Sequence, residues 1–407
     1  MTNASLAQLL GIAGWKITGE PLFSEGPGGR RAMVEIVREK AEYECPCGRR
    51  FKTYYDGDYR EVQDVSWATW AWFLLFFQVR VDCPNCGIRT ERLEWLAPGQ
   101  RHTKRFAAYV AGLCRLASVA AVARHLDLDW KTVKRFDREA LEAKLNPPDW
   151  GRPRLLAVDE IAIKKGHRYA TVILDFETRR VLWAVEGRTE EALGGFYQLL
   201  GEERCGRIEA VAMDMWKAYE NATRKYCPNA EIVYDPFHVL AQFSKVIDAV
   251  RNAELKRAQE HNKEVLRGSK YLLLRNRDHL KSDQKDRLEE LLELNKRLNT
   301  VYILKEDLKR LWDYKYPGAA WNFFVKWYRM AIYSKIEPLK RMARMLWTHW
   351  DGIAAHCRYP IHTSVLEGVN NKAKVIKRMA FGYRDMAYFF LKLRAAFPGH
   401  PAPTESS

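Results

Sequence analysis

The chain has 407 residues, which at about 150 residues per domain predicts two or three domains. Its 67 Lys and Arg outnumber its 51 Asp and Glu by 16, a surplus that favours polyanionic partners: nucleic acid or an acidic membrane surface. Apolar residues make up 47% of the chain, enough for packed cores, which excludes a mostly disordered protein. Eight cysteines are too few for a disulfide scaffold. Four of them occur in pairs, a pattern that reads as a metal site in a reducing compartment. No basic residue precedes Lys16, so no secretory signal is expected. The most apolar stretch, Trp67 to Phe77, is about half a membrane helix and runs into Arg80 and Asp82. The expectation is a cytosolic protein with no membrane segment.

Residues 1–31 open on a short apolar segment (Leu6, Leu9, Leu10, Ile12), and the Gly/Pro stretch Gly19 to Gly29 reads as a loop. From Ala32 the pattern alternates through Met33, Glu35 and Val37 to Tyr43, which predicts short strands. Tyr59 to Asp64 and Trp72 to Val81 are also β-rich. The period changes over residues 102–145. Phe106, Val110 and Leu113 repeat at helical spacing; Val119, Val122, Ala123 and Leu126 follow a break at Ser118; Trp130, Val133 and Phe136 follow Asp129, an N-cap. Three short helices, the third carrying Lys131, Lys134 and Arg135, make a helix-turn-helix.

Asn146-Pro-Pro-Asp-Trp-Gly151 marks a boundary. Beyond it come apolar runs of strand length: Leu155–Val158, Ala170–Leu174, Val181–Val185, Ile208–Met213 and Glu231–Tyr234. Helical segments at 190–200 and 216–226 separate the later ones, as in a mixed α/β sheet. Val239 to about Pro360 is charged and helical with no strand signal, a long insertion. A final helix is expected from about Thr363 to Phe397, then a disordered tail, Pro398 to Ser407. The expected domains are a zinc-ribbon-like β module in residues 1–100, the helix-turn-helix at 101–147, an α/β core at 152–238 and 361–397, the α-helical insertion at 239–360, and the tail at 398–407.

The cysteine pairs are Cys45-Pro-Cys47-Gly and Cys83-Pro-Asn-Cys86-Gly. Tetrahedral zinc takes four thiolate or imidazole ligands, and two tight knuckles supply two each. Gly48 and Gly87 suit such turns because they accept positive φ. The expected role is structural, since four thiolates leave no open position for catalysis. The single Cys114, Cys205, Cys227 and Cys357 read as ordinary buried thiols.

Two segments share one grammar, an apolar strand ending in an aspartate: Leu155-Leu-Ala-Val-Asp159 and Ile208-Glu-Ala-Val-Ala-Met-Asp214. Apolar runs of this kind suit strands buried on both faces. A carboxylate there needs compensation, which a divalent cation supplies, although a strand-end Asp is also a common cap or turn residue. Ile232-Val-Tyr-Asp235 repeats the pattern before Pro-Phe-His238. In the last helix, at about 100° per residue, Leu366, Val369, Ala373, Ile376 and Ala380 form one apolar stripe. Glu367, Asn371, Lys374 and Arg378 form a polar stripe beside it, either a solvated face or a site.

The order of these pieces is a cysteine-pair module, a helix-turn-helix, VDEIAIKKGHRYATVILD, VAMDMWKAYENA, VYDPFHV and LEGVNNKAKVIKRMAFGYR. Over residues 40–397 it resembles the DDE transposases of bacterial insertion sequences, specifically the ISL-three family. The resemblance implies a ribonuclease-H-like catalytic core with Asp159, Asp214 and Glu367 as the triad. That triad would hold two Mg2+ ions, with Mn2+ able to substitute, beside a structural Zn2+ on Cys45, Cys47, Cys83 and Cys86. Two metals about 3.5–4 Å apart can activate a nucleophile and stabilise a leaving oxygen, so no general base is required. Asp235 and His238 are expected next to the ligands rather than among them. Lys131, Lys134, Arg135 and Arg138 would enter the major groove. Asn371, Lys374, Lys377 and Arg378, with Lys164, Lys165 and Arg168, would grip the cleaved end. The implied activity is metal-dependent cleavage and strand transfer at the terminal inverted repeats of the element. The implied partners are double-stranded DNA (ends and target) and a second copy of the chain on it, in the bacterial nucleoid. The rival is a DNA-binding regulator or domesticated derivative without catalysis, against which the complete triad argues.

Overall fold

The computed structural model describes residues 11–26, 29–67, 69–97, 99, 101–164, 168–258, 266, 269–275 and 279–400. The chain divides into two compact units, Met1–Asn146 with Met379–Phe381, and Pro147–Arg378 with Gly382–Ser407. No helix among the described residues is long and apolar enough to cross a membrane.

The first unit is built on strands β1 (Trp15–Gly26), β2 (Gly29–Arg38), β5 (Asp56–Trp67), β6 (Trp70–Cys83) and β7 (Gly87–Thr90), in the order β1-β2-β6-β5 with β7 also on β6. A two-residue hairpin, β3 (Tyr43–Glu44) and β4 (Arg50–Phe51), stands apart. Strand side chains alternate between faces, and β6 uses both. Trp72, Leu74 and Phe76 pack with Ile17, Val34, Ile36 and Val62, whereas Val79, Val81 and Cys83 pack with Tyr43 and Cys45. The expected loop at Gly19 to Gly29 is instead mostly strand. β1 is an edge strand with an irregular register between Thr18 and Leu22, which absorbs Gly19 (φ 73°) and Pro21 without breaking the pairing. Leu6, Leu9 and Leu10 lie outside the described residues.

Three helices follow: α1 (Lys104–Leu113), α2 (Val119–Leu126) and α3 (Trp130–Leu145). Each is opened by a side chain that accepts an otherwise unpaired backbone N–H: Thr103 from Phe106, Ser118 from Ala121 and Asp129 from Lys131. Asp127 in the left-handed region (φ 51°) ends α2 and makes the tight turn into α3. Phe106, Val110, Val122, Val133 and Phe136 form the core of the three helices. Asp64 of β5 is buried and accepts from Thr103 Oγ1 at 2.6 Å and from the Arg105 guanidinium, which ties the start of α1 to the sheet.

The second unit carries β8 (Leu155–Lys164), β9 (Arg168–Asp175), β10 (Val181–Glu186), β11 (Ala210–Met213) and β12 (Glu231–Tyr234), ordered β10-β9-β8-β11-β12. The first three pair antiparallel, while β8, β11 and β12 run parallel. Leu156, Val158, Val211 and Met213 pack towards α4 (Glu190–Leu200) and α5 (Lys217–Tyr226), through Leu193, Phe196, Tyr219 and Ala222. Ala157, Ile161, Ala212 and Val233 pack towards Leu366, Val369, Ala373 and Phe389 on the opposite face. Both faces are covered, which is why these strands read as unbroken apolar runs.

From α6 (Pro236–Arg257) to Pro360 the described residues form helices and no strand: Lys270–Leu274, Ser282–Leu294, Lys296–Lys309, Pro317–Tyr333, Glu337–Thr348 and Trp350–Ala354. Phe243, Val301, Phe324, Trp327 and Leu339 belong to the same buried cluster as the α4 face of the sheet, so this segment shares its core.

The single final helix expected from Thr363 to Phe397 is two: α7 (Val365–Met379) and α8 (Met386–Ala396). Phe381 (φ 53°) and Gly382 (φ 106°) leave helical geometry, and Asp385 restarts it by accepting from Tyr388 N–H at 3.1 Å. Of the expected disordered tail, residues 398–400 run beside the 178–180 turn, where His400 N–H donates to Thr178 O at 2.7 Å. Residues 401–407 lie outside the described residues.

Candidate active site and nucleic-acid interface

The β3–β4 hairpin presents Cys45 and Cys47, and the β6–β7 turn presents Cys83 and Cys86. The turns close through Gly48 N–H to Cys45 O at 2.8 Å and Cys86 N–H to Cys83 O at 3.1 Å, with Gly48 and Gly87 at φ 90° and 69°. All four Sγ atoms lie within 4.8 Å of one another. Cys47 and Cys83 are 3.7 Å apart, which is the sulfur separation of a tetrahedral site with bonds of about 2.3 Å. Burial pushes the Cys83 thiol up, but the Asn85 and Cys86 N–H groups outweigh it and bring it down to about 7. Hydrogen bonding to Cys47 pushes Cys86 up to about 12. Four thiols this close cannot all ionise without a cation between them. The donor set therefore fits a closed thiolate metal centre.

The second cluster is assembled from distant segments. Ala212 pairs with Ala157, and Met213 with Tyr234. Continued by one or two residues, that register brings Asp159, Asp214 and Asp235 level on three adjacent parallel strands: Asp214 and Asp235 just past the ends of β11 and β12, and Asp159 in the middle of β8, which runs on to Lys164 instead of ending at the aspartate as expected. His238, in the first turn of α6, stands among them: 3.6 Å from Asp214, 3.9 Å from Asp159 and 3.9 Å from Asp235. Asp235 is buried and already engaged, because it caps α6 by accepting from Phe237 N–H and also accepts from Thr363 Oγ1. It therefore pins the root of α6 to the residues leading into α7. Asp159 and Asp214 each accept a short local N–H contact on Oδ1, from Glu160 and Met215. Burial is the chief influence on Asp159 and pushes its carboxyl up to about 6, against the pull of the Glu160 N–H, His238 and Asn370. A buried carboxylate raised in this way is stabilised by any bound cation.

Helix α7 reaches this cluster through Asn370, whose Nδ2 donates to Asp159 Oδ2 at 3.2 Å. The Asn370 Oδ1 is buried and has no hydrogen-bond partner. An orphaned amide oxygen on a side chain that touches the Asp159 carboxylate is a donor set that suits a hard divalent ion. Glu367 lies three residues earlier on α7, exposed, and engages no described side chain. Among the described residues, the four cysteines are the only metal-capable group closed to within 4.8 Å, so the carboxylates stand more open than they do.

The other expected contacts fall into three groups. Lys377 is engaged with the carbonyls of Ile163 and Ala162, at 2.8 and 3.2 Å. Lys374 leans on Asn371 at 3.4 Å, and Arg378 and Arg168 are exposed. The Lys164 side chain and all of Lys165 lie outside the described residues. On α3, Lys131 is exposed, Lys134 is half-buried, and Arg135 and Arg138 pair with Glu139 and Glu142 one turn on, at 3.7 and 2.9 Å.

Residue-by-residue reading missed Asn370. With Leu366 at 0°, Asn370 falls at about 40° and Lys377 at about 20°, on the seam between the apolar and polar stripes. A polar residue on that seam is the one that meets the sheet, whereas Asn371, Lys374 and Arg378, further round the polar stripe, are exposed.

A helix-turn-helix and a carboxylate-bearing mixed sheet in one chain are the parts of a DNA-rearranging protein, and comparison with known proteins agrees. The model of the ISL3 DDE transposases, described as "Transposase", matches residues 156–393. The "Helix-turn-helix domain of transposase family ISL3" matches residues 91–140. The chain belongs to the ISL3 transposase family. It is 45% identical over 406 residues to the transposase for insertion sequence element IS1001 of Bordetella parapertussis, covering 98% of this chain and 100% of that relative. It is 26% identical over 431 residues to the transposase for insertion sequence element IS1557 of Mycobacterium tuberculosis, covering 98% and 97%.

Proposed function

We propose that this protein mobilises its own insertion sequence. The α1–α3 module binds the terminal inverted repeats, with α3 in the major groove, and a second copy holds the other end. Asp159, Asp214 and Glu367 carry metal-dependent cleavage and strand transfer. The observation that carries this reading is the level placement of Asp159 and Asp214 on adjacent parallel strands, next to an unpaired amide oxygen. Three antiparallel strands followed by two parallel ones, with helices on both faces, support a ribonuclease-H-like core.

In this reading Asp159, Asp214 and Glu367 would together hold two divalent ions, Mg2+ or Mn2+. When bound, those ions lower the pKa of the attacking hydroxyl and neutralise the leaving oxygen. Asn370 holds the Asp159 carboxylate in one orientation, and its free oxygen faces the same space. His238 fills the gap between the two aspartates. Asp235 keeps α6 and the start of α7 in register, which sets the approach of Glu367. In the first unit, Cys45, Cys47, Cys83 and Cys86 hold a structural Zn2+.

The test is single-turnover cleavage of an end-containing duplex with Mg2+. Asp159→Asn, Asp214→Asn and Glu367→Gln should each stop cutting while end binding persists. If Glu367→Gln cuts at near wild-type rate and Asp235→Asn is dead, Asp235 rather than Glu367 is the third ligand.

A further inference from the structure

Successive residues of β8 face opposite sides of the sheet. Asp159 meets Asn370 on the α7 side, and Glu160, the next residue, meets Arg188 on the other. Arg188 sits just past β10 and before Thr189, the N-cap of α4. Its guanidinium is stacked between two aromatic rings, 4.5 Å from the Tyr169 centroid and 4.8 Å from that of Trp216. Trp216 is fixed in turn, because its Nε1 donates to the Arg188 carbonyl at 2.9 Å. Trp216 lies two residues past Asp214. The clamp is therefore made by the strand ends and turns that present the carboxylates.

The contact to Glu160 is a single one, Nη1 to Oε1 at 3.3 Å. The other N–H groups of the guanidinium have no acceptor among the described residues, and the side chain is 38% exposed. Two ring contacts confine the guanidinium, and its fork of N–H donors matches two oxygens of a phosphate. The local charge balance calls for such a group. Asp159, Glu160, Asp214 and Asp235 make this end of the sheet strongly anionic, and a DNA backbone must approach it. Lys377, the cation on the opposite flank, is engaged with the Ala162 and Ile163 carbonyls.

We propose that Arg188, clamped between Tyr169 and Trp216, grips a backbone phosphate of the DNA strand beside the scissile bond. The proposal rests on the reading of Asp159 and Asp214 as the active site. It assigns a substrate contact to a residue outside the carboxylate set, and makes Tyr169 and Trp216 its positioning residues.

The experiment uses the full-length protein, Mg2+ and end-containing duplexes in which single phosphates near the cut are replaced by neutral methylphosphonates. Wild type should be slowed by one or two of these linkages. Arg188→Ala should cut about 10²-fold slower, the loss expected when the reacting strand is misplaced by about 1 Å, with end binding weakened far less than cleavage. The linkage that slowed wild type should have no further effect on that variant. Arg188→Lys keeps the charge but not the stacked fork and should recover part of the rate. Trp216→Ala should reproduce the Arg188→Ala pattern more weakly. Wild-type cutting by Arg188→Ala, or an unchanged methylphosphonate profile in it, overturns the proposal and leaves Arg188 as a packing residue. If Arg188→Ala fails to fold or bind ends, the same profile measured on Arg188→Lys decides. Wild-type cutting by Asp159→Asn would overturn the active-site reading itself, which separates the two failures.

Discussion

The cysteine cluster and the carboxylate cluster are built in opposite ways. The four cysteines come from two short turns whose geometry is set by neighbouring residues, and packing of Tyr43 and Cys45 against Val79, Val81 and Cys83 brings the two turns together. The carboxylates Asp159, Asp214 and Asp235 come from β8 and from the turns after β11 and β12, brought together by the pairing of strands distant in the sequence, and they stay further apart. A closed set of soft ligands suits permanence, while an open set of hard ligands, one of them buried at a cost, suits exchange of ions and substrate.

The contrast breaks first at the cysteines. Cys83→Ser should unfold the β-rich region around residues 40–100, because a structural zinc contributes on the order of 10 kcal/mol to folding. Metal analysis should find about one zinc per chain in the native protein and none in the variant. A fully folded, zinc-free native protein would sink the idea. At the carboxylates the same kind of change should leave the fold intact. Asp159→Asn and Asp214→Asn should lose on the order of 10³-fold or more in single-turnover cleavage, the weight of several kcal/mol of charge stabilisation. Thermal unfolding should be no worse than wild type.

Smaller effects sharpen the comparison. Asn370→Ala removes a hydrogen bond to a charged group, worth about 1.5–3 kcal/mol, so cleavage should fall by roughly tenfold to a hundredfold. An equal loss in end binding would show that the residue only packs α7. At the Asp159 carboxyl, raised to about 6 by burial, protons should compete with the metal for the carboxylate. Below that pH it is protonated, so the Mg2+ concentration for half-maximal cleavage should climb as pH falls through about 6 and level off above it. A flat Mg2+ requirement from pH 5 to 8 would contradict the burial argument. Lys134→Ala should weaken DNA binding evenly across sequences and lower the salt slope by about one, as for a phosphate contact. A change confined to one base position would make Lys134 a base reader instead.

How much of this was legible in the sequence depended on how local the cause was. The cysteine knuckles, the Asp129 cap of α3 and the strand Glu231–Tyr234 are set by residues within a few positions and read directly. The Gly19 to Gly29 stretch misleads because an edge strand tolerates Gly and Pro at a bulge, and pairing with β2 overrides local preference. The break between α7 and α8 is hidden because Phe381, a bulky non-glycine residue, takes the left-handed turn. Asp159 and Asp214 are visible as aspartates closing apolar runs, although β8 continues past Asp159 to Lys164, but Asn370 becomes visible only once it is known which edge of α7 lies against β8. Arg188 and its two rings come from three separate segments, and no spacing along the chain announces them.

Asp235 has a topological consequence. One carboxylate receives both the first turn of α6 and the hydroxyl of Thr363, so the long helical excursion between them leaves and re-enters at a single clasp. Closing a longer excursion costs only slowly more chain entropy, about 0.6 kcal/mol for each doubling of length. Helices can thus be added to or removed from the outer part of that excursion while the clasp holds its two roots together. An excursion shortened only in helices outside the core it shares with the sheet, and joined at the same two residues, should leave the carboxylates where they are.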